Sequence, residues 1–308
     1  MIYFFVDIYS CVRGNNQFFS KIRIYSAIRF FIRSMVNIIA PLLHTKRSLS
    51  SDVSKKEGRI IVSLTSFPKR FSKLWLVLES MLGQSMQPDK IIVWLCSNEI
   101  SSLDLLPKSL KKMQQRGVEF RLSEKNYRSY NKFYFTCLEY PKDYVITIDD
   151  DIVYPRHLIR NLMNLHSRYP GAVCCNVAML MTLSDGDIAS LSRWKVRFDE
   201  ECCSPWLMAQ GVGGILYPPN SLPTLTFNNE LFCELCPSDD DTWLQTMEFI
   251  NKTPIVKGER YFSLFRLTLK NDVKLCDSNS QEDTLSRVNL IRKGLLKVIG
   301  KDPYECWR

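Results

Sequence analysis

The sequence lacks any uninterrupted run of about 18 apolar residues, the length that one membrane-spanning helix requires. Its first residues also lack the ordered basic start, apolar stretch and small-residue cleavage site of a secretory signal peptide. No internal repeat is visible along the chain. We therefore predict that the chain has no spanning helix and that the protein is cytoplasmic.

Histidine is scarce, with three residues in 308, whereas cysteine is present in an odd number, eleven. Because no secretory signal is predicted, we expect reduced thiols rather than a disulfide scaffold. Some of the cysteines offer zinc ligands by type, but their spacing fits no recognised zinc knuckle, so small buried side chains are the favoured interpretation. The cysteines in question are Cys202, Cys203, Cys233 and Cys236.

The formal net charge of +9 is concentrated at the start of the chain. Seven basic residues and one acidic residue lie within positions 1–50, an excess of six, among short apolar clusters. This combination favours an anionic membrane surface as a partner. We predict that residues 1–45 form a basic amphipathic helical segment, peripheral on the inner face of the cytoplasmic membrane; the alternative is a pair of helices packed on the rest of the protein. The remaining excess of three, without a recognised reader motif, predicts no nucleic-acid binding.

Strand-like and helix-like segments alternate after a Ser/Lys-rich linker at residues 46–58. This alternation predicts an α/β fold with a mostly parallel central sheet and helices on both faces. We assign residues 59–270 to this domain and residues 271–308 to a helical tail, with a helix over 281–298. The apolar runs that predict strands are residues 59–64, 91–95, 118–122 and 144–148.

Three consecutive aspartates, Asp149, Asp150 and Asp151, follow directly after the fourth predicted strand. Neighbouring carboxylates repel one another unless a cation or hydrogen-bond donors offset their charge. Mg²⁺ suits this place, because it takes one or two protein carboxylates and completes its shell with water and phosphate oxygens. Side chains alternate along an extended chain, so we predict that Asp149 and Asp151 point to one side and hold the metal, while Asp150 points away. The alternative is a solvated acidic loop.

Ligands of parallel α/β sheets bind beyond the carboxyl ends of the strands. The loop at Thr65–Arg70 follows the first predicted strand, and the aspartate triplet follows the fourth. We therefore predict that these two segments converge in space, although they are far apart in the sequence.

The segment from Ile148 to Asp151 resembles the D-x-D motif of GT-A glycosyltransferases. Its surroundings are similar to a bacterial group, within or near family two, that builds capsular or lipopolysaccharide sugars, and the resemblance runs over residues 59–249. It implies a GT-A, Rossmann-like fold and an Mn²⁺ or Mg²⁺ cofactor held by Asp149 and Asp151. It also implies a nucleotide-diphosphate sugar donor, a glycan or lipid-linked acceptor, and transfer with inversion.

The donor side of the resemblance lies in two segments. Ile61–Arg70 is similar to the first strand and loop of such enzymes, which implies hydroxyl contacts to the nucleotide and an arginine near the diphosphate. Tyr127–Lys132 is similar to the segment that opens the helix before D-x-D, where a basic residue reaches the donor. The donor-binding residues implied are Thr65, Ser66, Arg70, Lys132, Asp149 and Asp150.

The acceptor side of the resemblance is the segment Gln210–Pro219, which is similar to the glycine-bearing acceptor segment of the fold. Gly213 and Gly214 would allow a sugar ring to approach the backbone closely, although a tight turn before a strand explains them nearly as well. Trp206 is a candidate aromatic platform for a sugar, with core packing as the favoured interpretation.

Ser238–Leu244 matches the second acidic motif, where inverting members keep a catalytic base at the start of a helix. Asp239 or Ser238 is suited to capping that helix. We predict that the base is Asp240, with Asp241 as the second candidate.

The sequence departs from related enzymes in the absence of a late histidine for the metal, since His166 is the last one. Either water fills that position, or an acid such as Asp272 or Asp277 does. Two rival functions stay open. The triplet also fits the opening motif of haloacid-dehalogenase-like phosphatases, with Asp149 as nucleophile, and a membrane-associated protein could keep the fold without turnover.

Overall fold

The computed structural model describes residues 58–196, 198–259, 265–267 and 281–307, together with residues 3, 30, 31, 34 and 47–49. Nearly all of the predicted segment 1–45, most of the linker, and both Asp272 and Asp277 lie outside these residues. Within the part of the chain described, no helix is both long enough and apolar enough to cross a membrane.

Seven helices are described between Gly58 and the C-terminal region: α1 (Phe71–Leu82), α2 (Lys108–Gln114), α3 (Asn131–Glu139), α4 (Leu158–Arg168), α5 (Asn229–Leu235), α6 (Asp240–Ile250) and α7 (Gln281–Ile299). The strands in the same ranges are β1 (Ile60–Thr65), β2 (Lys90–Cys96), β3 (Val118–Ser123), β4 (Tyr144–Thr147), β5 (Ile152–Val153), β6 (Val173–Cys175), β7 (Ala178–Leu180), β8 (Leu183–Ser184), β9 (Asp187–Ile188), β10 (Lys195–Val196), β11 (Cys202–Cys203), β12 (Leu207–Ala209), β13 (Ile215–Tyr217), β14 (Ile255–Lys257) and β15 (Phe265–Arg266).

The main sheet has eight strands in the order β11-β14-β6-β13-β4-β1-β2-β3. Strands β4, β1, β2 and β3 are mutually parallel, and β14 is parallel to β6. Strand β13 runs antiparallel between β4 and β6, with Ile215 opposite Thr147 at the carboxyl end of β4. The predicted α/β fold with a mostly parallel central sheet is confirmed.

Each face of the sheet carries its own apolar core, because successive strand residues point to opposite sides. Val62 and Leu64 of β1 pack with α1, α2 and α4. Ile61 packs on the other face with Trp94, beside a core that contains residues of α3, α5, α6 and α7. Helices therefore cover both faces, as the continuous apolar runs of β1 and β4 predict.

The predicted helix at 281–298 is observed as α7, which packs against α5 and α6 rather than standing apart. Its residues Val288, Ile291 and Leu295 are fully buried. A Cβ atom at Gly294 would lie 2.4 Å from a methyl carbon of Leu235 in α5, so any larger residue would require Leu235 to shift. The tail thus belongs to the same packed body as α6.

The cysteines considered for zinc lie on separate elements: Cys202 and Cys203 form the edge strand β11, Cys233 lies in α5, and Cys236 follows that helix. The cysteines whose side chains the structure describes are free. Among the described residues there is no group of three or more His, Cys, Asp or Glu side chains that could hold a metal ion by themselves. The zinc alternative therefore has no support in this part of the chain.

Candidate active site

The loop after β1 and the aspartate triplet after β4 meet at one edge of the sheet, because these two strands are adjacent and parallel. Ser66 Oγ donates a hydrogen bond of 2.6 Å to Asp150 Oδ2. Arg70 Nη1 lies 2.8 Å from Asp150 Oδ1 and 3.2 Å from Asp151 Oδ2. The predicted convergence of these segments is confirmed.

The prediction that Asp150 and Asp151 point to opposite sides is wrong, because Arg70 contacts both carboxylates. Strand β4 ends at Thr147, and residues 150–151 form a turn in which the alternation of an extended chain no longer applies. The backbone N–H of Asp149 donates to the hydroxyl of Tyr154 at 2.8 Å, which fixes the turn from inside the core.

Lys132 joins the triplet to the second acidic motif. Its Nζ atom donates to Asp149 Oδ1 at 2.9 Å and lies 3.1 Å from Asp240 Oδ2. The Lys132 side chain is only 6% exposed. The lysine that was assigned to the donor therefore contacts acids of both motifs, and its partner Asp240 was not foreseen.

The second acidic motif begins helix α6. Asp239 is the N-cap, with Oδ1 accepting from the Thr242 N–H at 3.1 Å, as predicted. Asp240 and Asp241 occupy the first turn, where the helix dipole favours negative charge. Asp241 Oδ1 accepts a hydrogen bond of 3.0 Å from the backbone N–H of Gly211.

Gly211 is a site residue that the sequence analysis missed. A Cβ atom at this position would lie 2.8 Å from Lys132 Nζ, 3.3 Å from Asp241 Oδ1 and 3.5 Å from Asp149 Oδ1. The backbone therefore passes directly beside the charged groups, and a side chain would displace them. A glycine followed by Val-Gly-Gly was the available signal, but the sequence does not rank one glycine of the run above another.

The two glycines predicted on the acceptor side meet apolar neighbours. A Cβ at Gly213 would collide with Val177, and Gly214 adopts a φ of +77° beside Leu158. Both are buried and meet the requirements of the turn before β13. Their contact with an acceptor stays a prediction.

Trp206 and Thr65 are engaged by the protein itself. The Trp206 ring packs edge-on against Phe249, with centroids 4.8 Å apart, and lies parallel to Tyr304. Core packing, the favoured interpretation, fits these contacts. Thr65 Oγ1 donates to the carbonyl oxygen of Trp94 at 3.1 Å.

No family model matches this chain, and no curated protein sequence matches it. Among solved structures, the chain is similar to residues 1–349 of S. aureus TarS, alone and in complex with UDP-GlcNAc. The TM-score is 0.48 in both comparisons, with 13% and 14% identity. The matches cover 78% of this chain and 66% and 67% of the TarS chains, so this chain spans about two thirds of their length.

Burial dominates the protonation behaviour of the acidic site. It raises the pKa of Asp150 to about 7, although Arg70 and Ser66 oppose the shift. Burial and the charge of Asp149 raise the pKa of Asp151. The pKa of Asp241 lies well above its ordinary value because of burial and the neighbouring Asp240.

Lys132 keeps its charge in this setting. Burial alone would lower its pKa, but the attraction of Asp149, Asp240 and Asp241 outweighs burial and raises the pKa well above its ordinary value. The ammonium group is thus a permanent positive charge between the two motifs.

The carboxylate groups of the site are chemically suited to a divalent cation. Five carboxylates, counting the triplet with Asp240 and Asp241, face three basic side chains, which are Arg70, Lys132 and Arg266. The carboxylates therefore outnumber the basic side chains by two. Since Mg²⁺ and Mn²⁺ sites of this kind use few protein carboxylates and rely on water and phosphate oxygens, the residues present fit such an ion.

Proposed function

We propose that this protein is a glycosyltransferase that moves a sugar from a nucleotide-diphosphate donor to a glycan or lipid-linked acceptor. The observation that carries the proposal is the link through Lys132 between the triplet and the start of α6. This link supports the proposal because it joins Asp149 to the first turn of α6 at the carboxyl edge of the parallel strands, where ligands of such sheets bind.

The donor end of the proposed site consists of the triplet and the loop after β1. Asp149 and Asp151 would hold Mn²⁺ or Mg²⁺, and the ion would neutralise charge on the departing nucleoside diphosphate. Arg70, which contacts Asp150 and Asp151, is suited by its position beside both carboxylates to orient diphosphate oxygens. Asp150, which accepts a hydrogen bond from Ser66, also accepts one from Arg70 and holds it in place.

The base of the proposed reaction is Asp241 rather than Asp240. Asp240 is buried and lies against Lys132, so its carboxylate is less accessible to an acceptor. The Asp241 side chain is more accessible, and its raised pKa makes its carboxylate a stronger base toward the proton of an acceptor hydroxyl. The hydroxyl oxygen would attack the anomeric carbon opposite the leaving diphosphate, which inverts the configuration. The Gly211 N–H orients the carboxylate of Asp241.

We further propose that the reaction serves bacterial surface-polysaccharide synthesis in the cytoplasm, with residues 1–45 in contact with the inner membrane face. The basic excess of these residues supports this placement.

The test is turnover of purified full-length protein with a panel of nucleotide sugars that includes UDP-GlcNAc, with and without Mn²⁺, followed by mass spectrometry. We expect release of nucleoside diphosphate that depends on the cation. Asp149→Asn and Asp151→Asn should each reduce it by about 100-fold or more, because each removes charge that holds the ion.

The matched control is Asp185→Asn, in the exposed turn between β8 and β9, which should leave turnover unchanged. Full activity in both triplet variants would reject the assigned site. Hydrolysis of p-nitrophenyl phosphate without cleavage of any nucleotide sugar would instead support the phosphatase. UDP binding that Asp151→Ala does not change, with no turnover, would support the non-catalytic protein.

A further inference from the structure

Arg287 of α7 contacts the N-cap of α6. Its Nη1 atom lies 3.1 Å from Asp239 Oδ2, and both side chains are 14% exposed. The same Oδ2 accepts a hydrogen bond of 2.7 Å from Thr242 Oγ1. One carboxylate thus both caps the helix and binds a cation from another helix.

The backbone just before α6 is fixed as well. The Tyr130 hydroxyl donates to the carbonyl oxygen of Asp239 at 3.2 Å and also to that of Cys236. Cys236 Sγ contacts the same Asp239 carbonyl at 3.1 Å. Tyr130 stands two positions before Lys132, so the contacts that hold α6 adjoin those that hold the acids.

We propose that Arg287 is a positioning residue for the base, through its ion pair with the N-cap Asp239 and hence the first turn of α6. This inference rests on the proposed function. Its physical basis is that a charge-assisted hydrogen bond in a largely buried place fixes geometry more firmly than a neutral one. Displacement of a catalytic group by about 1 Å can cost about 100-fold in rate.

Arg287 also offsets negative charge near the proposed base, because it pairs with Asp239. The charged groups with the largest influence on Asp241 are Asp240, Lys132, Asp239 and Asp149, and Cys175, Tyr217 and Glu248 also interact with it. Without Arg287, the negative charge of Asp239 would lack this compensation, and the pKa of Asp241 would rise further. The pH at which the base loses its proton would therefore move upward.

Arg292 offers a matched control on the same helix. Its side chain is 15% exposed, close to the value for Arg287, and it pairs with Asp187 at 2.7 Å and with Asp302. It therefore also anchors α7, but its ion pairs include no residue of the acidic motifs. A variant of Arg292 therefore measures the effect on turnover of weakening the anchoring of α7 without breaking the ion pair to Asp239.

The experiment compares Arg287→Ala, Arg287→Lys and Arg292→Ala in the full chain. For Arg287→Ala we expect kcat to fall by about 10- to 100-fold, with the donor KM changed by less than about threefold. The acidic limb of the kcat–pH profile should move to higher pH, and amide exchange in the first turn of α6 should become faster. Arg287→Lys should recover most of kcat, and Arg292→Ala should keep it within about twofold.

Unchanged kcat in Arg287→Ala would overturn the proposal, as would equal losses in the two alanine variants or a loss without faster exchange in α6. If the wild-type protein turns over no nucleotide sugar, the proposed function fails. The exchange comparison between the two alanine variants then still decides whether Arg287 orders the start of α6.

Discussion

The two acidic motifs of the site are stabilised in different ways. The triplet Asp149–Asp151 lies in a turn after a strand, where side chains of Arg70, Ser66 and Lys132 contact the carboxylates. Asp239–Asp241 begin a helix, where backbone N–H groups of Thr242 and Gly211 supply hydrogen bonds. Acids at the strand end thus depend on side chains, whereas acids at the helix start draw on backbone N–H groups as well as on the cationic side chains of Lys132 and Arg287.

The largest effect is expected from Lys132→Met, because Lys132 is the contact between the two motifs. The change leaves Asp149 and the buried Asp240 without their cation. We expect turnover to fall by about 100-fold or more and the free energy of unfolding to fall by about 3 kcal/mol, measured by urea denaturation.

Lys90→Met is the control, since Lys90 pairs with Glu119 near the far edge of the sheet and both are partly exposed. It should cost less than about 1 kcal/mol and leave turnover intact. Wild-type activity and stability in Lys132→Met would show that the motifs do not depend on this lysine.

Gly211→Ala should harm activity more than stability. The new methyl group would lie 2.8 Å from Lys132 Nζ and force the ammonium group away from Asp149 and Asp240. We expect turnover to fall by about 10- to 100-fold, with a loss of stability smaller than that of Lys132→Met because the ammonium group is shifted rather than removed. Gly258→Ala, whose added Cβ would be 3.8 Å from its nearest neighbour, is the control. Equal turnover in the two variants would contradict the assigned crowding at Gly211.

Among the described residues, the Glu248 carboxyl group in α6 has neither a cationic side chain nor a backbone N–H group as a partner. Both of its carboxyl oxygens are buried without a hydrogen-bond partner. Burial, and then the charge of Asp241, raise its pKa well above 4.5. The folded state therefore keeps a proton that the unfolded chain releases, so the free energy of unfolding falls as pH rises above about 4.5.

Glu248→Gln removes this dependence, since glutamine cannot ionise. We expect the variant to be about 1 to 3 kcal/mol more stable than the wild type at pH 8 and equal to it at pH 4, by urea denaturation at both values. The exposed Glu99→Gln should show no such difference. A stability gain that is independent of pH would mean that Glu248 is ionised in the folded protein.

The sequence was sufficient for the fold class and for the meeting of the Ser66 loop with the triplet, because apolar runs and parallel order determine both. The sequence was insufficient for the direction of the Asp150 side chain. Strand β4 ends before the triplet, so side chains no longer alternate between the two faces of the sheet at that point. The contact of Lys132 with Asp240 depends on how α6 packs over the sheet, which no local pattern specifies. For the same reason the sequence does not show that Gly211, rather than Gly213, is the glycine that lies beside the acidic side chains.

One reversed strand in the sheet has a consequence for how such a site can diversify. Because β13 is antiparallel to β4, the segment that precedes β13 arrives at the same edge as the segments that follow the parallel strands. The chain from β7 to β12 feeds directly into that segment. Insertions or exchanges between Thr182 and Trp206 can therefore alter the stretch of chain that leads to this edge while the pairing of the central strands stays as it is.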